Sequence, residues 1–257
     1  MTGKIKRSLI KTFLNTGTLV TPTWSLVGAG VTTGKINYNP KVTDETYIHE
    51  DNASKVVDGY APEFPVEMTA INGSAVYEYI DAMRKARSTL GDVETEIVNV
   101  WLYKTPALTY YLAEKQAVSL QIEDFGGDGG VAAKINFTIN YQGDPVQGEF
   151  SPTDLAFMAK PINTILTTLV IGSVTLTPLF ATDKTWLHYA GSVSNITEDV
   201  TMTSTLSGAT ILQKVGTSTV TQGNPAALSV GVNHLTVKVT VGTEIVTYYI
   251  DITRAAS

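Results

Sequence analysis

Apolar residues in this chain recur at every second position in segment after segment, and at helical spacing in one segment alone. Ile135, Phe137, Ile139 and Tyr141 alternate with Asn136, Thr138 and Asn140, the pattern of a strand with one face turned to a core. Ile97 to Tyr103 repeats it with Val98, Val100 and Leu102, and Ala117 to Ile122 with Val118, Leu120 and Ile122. Trp24 to Val27, Val66 to Ile71 and Gln147 to Phe150 are shorter candidates. The helical stripe is Val76, Ile80, Met83 and Leu90, passing Ala86 or Arg87. It predicts a helix over about 74–90, capped by Ser74 and left at Gly91. Asp81 and Lys85 are spaced for a weak exposed pair. The first half is therefore expected to be a strand-rich body with one amphipathic helix packed on it.

Further along, Leu235, Val237, Val239 and Val241 alternate with Thr236, Lys238 and Thr240, and Tyr248, Ile250 and Ile252 alternate with Tyr249, Asp251 and Thr253. Gly242-Thr243 between them reads as a two-residue hairpin turn, because glycine supplies positive φ without steric cost. Short runs at Val170, Trp186 to Val193, Val200 to Ser204, Ile211 and Leu228 bring the second half to about seven strands, enough for a β-sandwich. Its expected core includes Phe180, Trp186, Leu235, Val237, Val239, Tyr248 and Ile250.

Charge divides the chain near residue 160. Up to Lys160 there are 14 Lys and Arg against 19 Asp and Glu, and beyond it only 4 against 5, with threonine abundant instead. Ser151-Pro152-Thr153-Asp154 and Pro161 mark the boundary. The expected organisation is a first domain over 1–155, a linker over 156–163 and a sandwich over 164–257. The formal net charge of −6 argues against a sequence-reading nucleic-acid domain. The lack of cysteine removes disulfides, thiolate metal sites and thiol nucleophiles. No run of about 18 apolar residues is present, so no membrane-spanning helix is expected. Lys4, Lys6 and Arg7 precede Leu9 and Ile10 as in a signal peptide, but Lys11 interrupts the apolar stretch and no cleavage site follows.

The motifs that suggest chemistry do not complete it. Gly28 to Lys35 resembles a phosphate loop with the wrong glycine spacing and Ile36 in place of the hydroxyl, and reads as a turn between strands. Asp124 to Gly130 carries one kinase-like tripeptide and is expected to be a hairpin loop. Asp44, Glu45, His49, Glu50 and Asp51 lack calcium-loop order and read as a solvated charged loop. His188 and His234 are read as satisfied structural residues. No nucleophile, base and orienting group emerge together, so neither catalysis nor a metal or cofactor is expected.

The segment from Asn39 to Phe64 has no sustained period, yet carries Tyr47, Ile48, Val56, Val57 and Tyr60 among its charges. Long irregular segments in compact domains are uncommon and usually functional. These residues are expected to dock on another subunit, together with Leu9, Phe13 and Leu14 of an N-terminal arm over 1–20.

Residues 20 to 151 resemble the tail tube (major tail) proteins of long-tailed bacteriophages. The resemblance lies in the order of Trp24-Ser25-Leu26-Val27-Gly28-Ala29-Gly30, Tyr38-Asn39-Pro40, Tyr47-Ile48 and Val57-Asp58-Gly59-Tyr60, followed by the helix. Phe125-Gly126-Gly127-Asp128-Gly129-Gly130, Gly143-Asp144 and Gly148-Glu149-Phe150 complete it. It implies a β-sandwich or barrel with one helix, self-associating as hexameric rings stacked into a hollow tube for DNA delivery, in the company of tape measure and terminator proteins. The loop over about 39–64 would then join subunits, and an acidic lumen would let DNA slide. The second half resembles cadherin-like, immunoglobulin-type sandwich modules. Leu176-Thr177-Pro178 with Phe180, Trp186, Leu228 to Asn233 and Tyr248 to Arg254 carry that likeness, with tryptophan where tyrosine is usual. It implies an outer decoration of the tube, in possible contact with the host surface. The alternatives are a surface adhesin or carbohydrate-binding module, and the tube of a related secretion or tailocin machine.

Overall fold

A computed structural model describes residues 3–103, 109–161, 164–181 and 184–256. The protein is mainly β, with one α-helix among the described residues. In chain order the first elements are β1 (Ile10–Asn15), β2 (Trp24–Leu26), β3 (Pro40–Glu45), β4 (Ser54–Tyr60), β5 (Glu63–Thr69), α1 (Ala75–Ala86), β6 (Glu94–Trp101), β7 (Tyr111–Gly126) and β8 (Lys134–Ser151). After them come β9 (Ala156–Ala159), β10 (Thr168–Ile171), β11 (His188–Val193), β12 (Asp199–Thr205), β13 (Thr210–Val215), β14 (Ser218–Val220), β15 (Pro225–Ala227), β16 (Gly231–Val241) and β17 (Glu244–Arg254). The chain forms two compact units. One comprises Ile10–Val100 with Glu114–Val146, the other Gln147–Ser257 with Met1–Leu9 and Trp101–Ala113.

The first unit is a nearly closed, barrel-like sheet in the order β2-β1-β6-β7-β8-β5. The segment after β2 turns back towards the β5 edge, where Val31 bridges Met68 and Asn37 bridges Glu63. Gly30 makes the close approach possible: its φ is +80°, and a Cβ there would lie 2.5 Å from the Thr69 carbonyl. The glycine-rich Gly28 to Lys35 segment thus serves as a turn that seals a sheet. Strands β5 and β8 pair with Phe64 opposite Ile139, Val66 opposite Phe137 and Met68 opposite Ile135. All six side chains are buried beneath Val76, Ile80 and Met83 of α1, with Leu14, Ile97, Val118 and Leu120 completing the core. Each such burial contributes roughly 1.5–3 kcal/mol.

The second unit holds a three-stranded sheet, β10-β12-β15, and a five-stranded sheet, β11-β17-β16-β13-β14. Leu169, Ile171, Val200 and Met202 of the first share one core with Tyr189, Leu235, Val237, Val239, Tyr248, Ile250 and Ile252 of the second, which makes the unit a sandwich. Phe180 and Trp186 are buried in the same core. The β16–β17 hairpin turns on Gly242 at φ +59°, with Val241 opposite Glu244. Tyr248 is fully buried; its hydroxyl accepts the Leu166 N–H at 3.2 Å and donates to the Thr164 carbonyl. Burial pushes this phenol up to about 12.

Several expectations need correction. The 1–20 arm contains β1, an interior strand between β2 and β6, and Phe13 and Leu14 are buried in their own chain. They therefore cannot reach out to a neighbour. Helix α1 ends at Ala86, before Leu90, because Arg87 adopts the left-handed conformation at φ +52° and its N–H returns to the Arg84 and Met83 carbonyls. Leu90 lies in a 3-10 turn and is 87% exposed, so it packs on nothing as a helix residue. Ser74 occupies the N-cap position without a side-chain cap bond; Glu78 Oε1 instead accepts the Gly73 N–H at 3.0 Å. Asp81 is buried rather than exposed, held by Arg84 Nη2 at 2.7 Å and Lys85 Nζ at 2.6 Å. Those bonds, from Lys85 first, hold its carboxyl below the ordinary value. Part of the expected linker, Ala156–Ala159, is strand β9, paired with Gly148 to Ser151.

Candidate assembly surface

The segment expected to be an irregular loop is an antiparallel hairpin. Among the described residues, strands β3 and β4 pair with one another and with no other strand, Pro40 opposite Tyr60 at the base and Glu45 opposite Ser54 near the tip. The period was hidden because neither face is covered: every residue of β3 is exposed, and all of β4 except the half-buried Gly59. A bulge beside Lys41 and Val42 shifts the register, placing Val42 opposite Val57 and Thr43 opposite Val56. Thr43 Oγ1 donates to Asp58 Oδ2, and Lys55 Nζ meets Asp44 Oδ1 at 2.8 Å.

At the tip, the Tyr47 hydroxyl donates to Glu45 Oε2 at 3.0 Å and the Tyr47 ring stacks on His49 with centroids 6.1 Å apart. The Glu50 N–H closes a turn on the Tyr47 carbonyl at 2.9 Å. Ile48, within this turn, is fully exposed. At the base, Tyr38 and Tyr60 meet edge to face at 6.4 Å and help line a cleft of about 730 Å³. Its other walls include Asn99, Glu114, Tyr141 and Asp144. The Tyr141 hydroxyl accepts from Asn99 Nδ2 at 3.1 Å, and burial raises this phenol to about 12. Among the described residues, no group of three or more His, Asp and Glu is placed to hold a metal ion, and no helix is long and apolar enough to cross a membrane.

The residues singled out in the sequence fall into three groups. Tyr47, Ile48, Val56, Val57 and Tyr60 come together on the exposed hairpin. Leu9 is half-buried at the end of a 3-10 turn, while Phe13 and Leu14 are core. Val76, Ile80 and Met83, and the seven residues from Phe180 to Ile250, are buried in the two cores. Tyr38 and Val42 belong to the exposed surface as well, at 60% and 48%.

A second feature had no local sequence signal. Glu149 and His188, both buried, are joined by Oε2 and Nδ1 at 2.7 Å, while Glu149 Oε1 accepts the Leu187 N–H at 2.5 Å. The imidazole lies between the rings of Tyr110, centroids 3.5 Å apart, and Tyr249, 4.9 Å. Burial, aided by nearby Asp154, raises the Tyr110 phenol. With both carboxylate oxygens engaged and the imidazole stacked between two rings, this constellation fastens the second unit together internally.

No known family's sequence profile matches the chain, and no curated protein matches it. Among solved structures, a chain of the anti-feeding prophage baseplate, determined by cryo-electron microscopy with sixfold symmetry applied, resembles it over 57% of this chain and 97% of that one. The sequence identity is 11% and the TM-score 0.37.

Proposed function

We propose that this chain is a structural subunit that self-assembles into a phage-type tail tube, with the β3–β4 hairpin as a contact between subunits. The observation that carries the reading is the state of that hairpin. A two-stranded ribbon is marginal by itself in water, and this one presents Val42, Tyr47, Ile48, Val56, Val57 and Tyr60 to solvent. Its outer edges offer unpaired backbone groups, which natural proteins otherwise shield. A neighbouring copy that covered the ribbon would bury this apolar surface and satisfy those edges at once. The ordered landmarks shared with tail tube proteins favour a ring-and-stack arrangement around passing DNA, and the sandwich unit fits an immunoglobulin-like module carried on the outside.

Negative-stain microscopy of the purified chain over a range of concentration and salt tests this. Rings or hollow tubes are the expected result, and a persistent monomer overturns it. Deleting Thr43 to Tyr60 is expected to leave a folded protein, by circular dichroism and cooperative melting, that no longer forms long tubes. Unaltered polymerisation by that variant would remove the hairpin from the reading.

A further inference from the structure

We infer that the tip of the hairpin docks on the basic N-terminal segment of a second copy of this chain, an inference that rests on the assembly reading above. The sequence divides its charge unevenly. The first 43 residues contain Lys4, Lys6, Arg7, Lys11, Lys35 and Lys41 and not one Asp or Glu, in a chain whose net charge is −6. From Asp44 onward the hairpin holds Asp44, Glu45, Glu50, Asp51 and Asp58 against the single Lys55, with Lys41 at its base. Lys55 is already engaged by Asp44. Among the described residues, no ion pair engages Asp51, Lys4 or Lys6, and all three are exposed.

Both segments combine charge with unprotected apolar surface. Ile5, between Lys4 and Lys6, is 54% exposed, and Ile48 and Tyr47 stand beside Glu50 and Asp51. An apolar residue flanked by ammonium groups complements an apolar tip flanked by carboxylates: the isoleucines exclude water while the ion pairs fix orientation. The two surfaces differ from each other, so the contact is heterologous. Such contacts can propagate from copy to copy, and where the rotation between copies does not close they run on as an open stack. A contact of this kind is also weakened by salt, because exposed charges are screened over a Debye length of about 8 Å at physiological ionic strength.

Charge reversal in the full-length protein tests the pairing. Lys4→Glu/Lys6→Glu and Glu50→Lys/Asp51→Lys each place like charge on both partners. Either variant alone is expected to need a roughly tenfold or higher concentration to assemble, since a few exposed ion pairs amount to about a decade in affinity. Mixed together, the two variants restore complementarity at every contact, and alternating co-assembly is expected where neither assembles alone. Sedimentation velocity with one variant fluorescently labelled reads this directly, and unchanged circular dichroism establishes that the exposed substitutions leave the fold intact. Two results overturn the pairing while leaving the assembly reading in place: unchanged assembly of either variant, or no rescue on mixing. Wild-type protein that stays monomeric at every salt concentration overturns both.

Discussion

The hairpins β16–β17 and β3–β4 are both antiparallel ribbons carrying valine, isoleucine and tyrosine, and both are edged by charged and hydroxyl residues. In the first, Leu235 faces Ile250 and Val237 faces Tyr248, and all four are buried against a second sheet. In the second, Val42 faces Val57 with nothing over either. Apolar content alone therefore does not decide whether a ribbon belongs to a core. The strict alternation of β16–β17 gathers its apolar groups on one face, where a single sheet can cover them. The bulged β3–β4 ribbon divides Val42 and Val57 from Val56, so no one layer of its own chain could cover them all. Such a ribbon is better suited to being clasped by neighbours.

Matched substitutions sharpen that contrast, and the largest effect is expected at the aromatics. Tyr248→Ala removes a fully buried ring and frees the Leu166 N–H, and is expected to cost about 3–5 kcal/mol. Tyr47→Ala, at the exposed tip, is expected to change folding stability by no more than about 0.5 kcal/mol while weakening assembly. Urea denaturation of each full-length variant measures both. A cost above 1 kcal/mol at Tyr47 would mean that the tip is anchored within its own chain. The buried phenol also gives the sandwich an alkaline limit. Its value rises on folding from 10.0 to about 12, so the stability it contributes is complete below pH 10 and is lost as pH climbs towards 12. Tyr248→Phe is expected to remove that part of the alkaline dependence, as read from thermal melts across this range.

Two carboxylate contacts form the next comparison. Glu149→Gln keeps the shape but takes the charge from a fully buried carboxylate bonded to Leu187 and His188, and should destabilise by about 1–3 kcal/mol. Asp44→Asn breaks a pair whose side chains are 59% and 73% exposed, and should cost about 0.5 kcal/mol or less. Equal costs in the same denaturation experiment would contradict the assignment of the first pair to the interior and the second to solvent.

What could be read in the sequence follows the same division. Alternation revealed β16, β17 and the inner part of β8, because one covered face forces period two. It failed for β3 and β4, where no face is covered and no period is imposed. In β1, consecutive Phe13 and Leu14 are both buried although they point to opposite faces of the sheet, so no alternation marks the strand, and a flanking Lys11 made the run look like a solvent-borne arm. The α1 stripe extended to Leu90 on paper because leucine continued the spacing, but the backbone left the helix at Arg87 without waiting for Gly91. Glu149 and His188 could not be paired from sequence, since 39 positions separate them and each looks ordinary in its own strand.

The smallest of the matched effects concerns the glycines. Gly242 sits at φ +59° in a loop of two residues, where the strands leave the turn no freedom to relax. Alanine in that conformation is strained, so Gly242→Ala is expected to cost about 1 kcal/mol and to lower the melting temperature by a few degrees. Gly59, beside the bulge in β4, has no such φ, and nothing lies within 4 Å of where a Cβ would be. Gly59→Ala should leave the fold unchanged or slightly more stable, because it reduces the freedom of the unfolded chain without meeting an obstacle. The space around that missing Cβ is space that a neighbouring subunit could fill. A Gly59→Ala protein that melts normally but assembles poorly would locate the contact at the base of the ribbon. Normal melting and normal assembly would confine it to the tip.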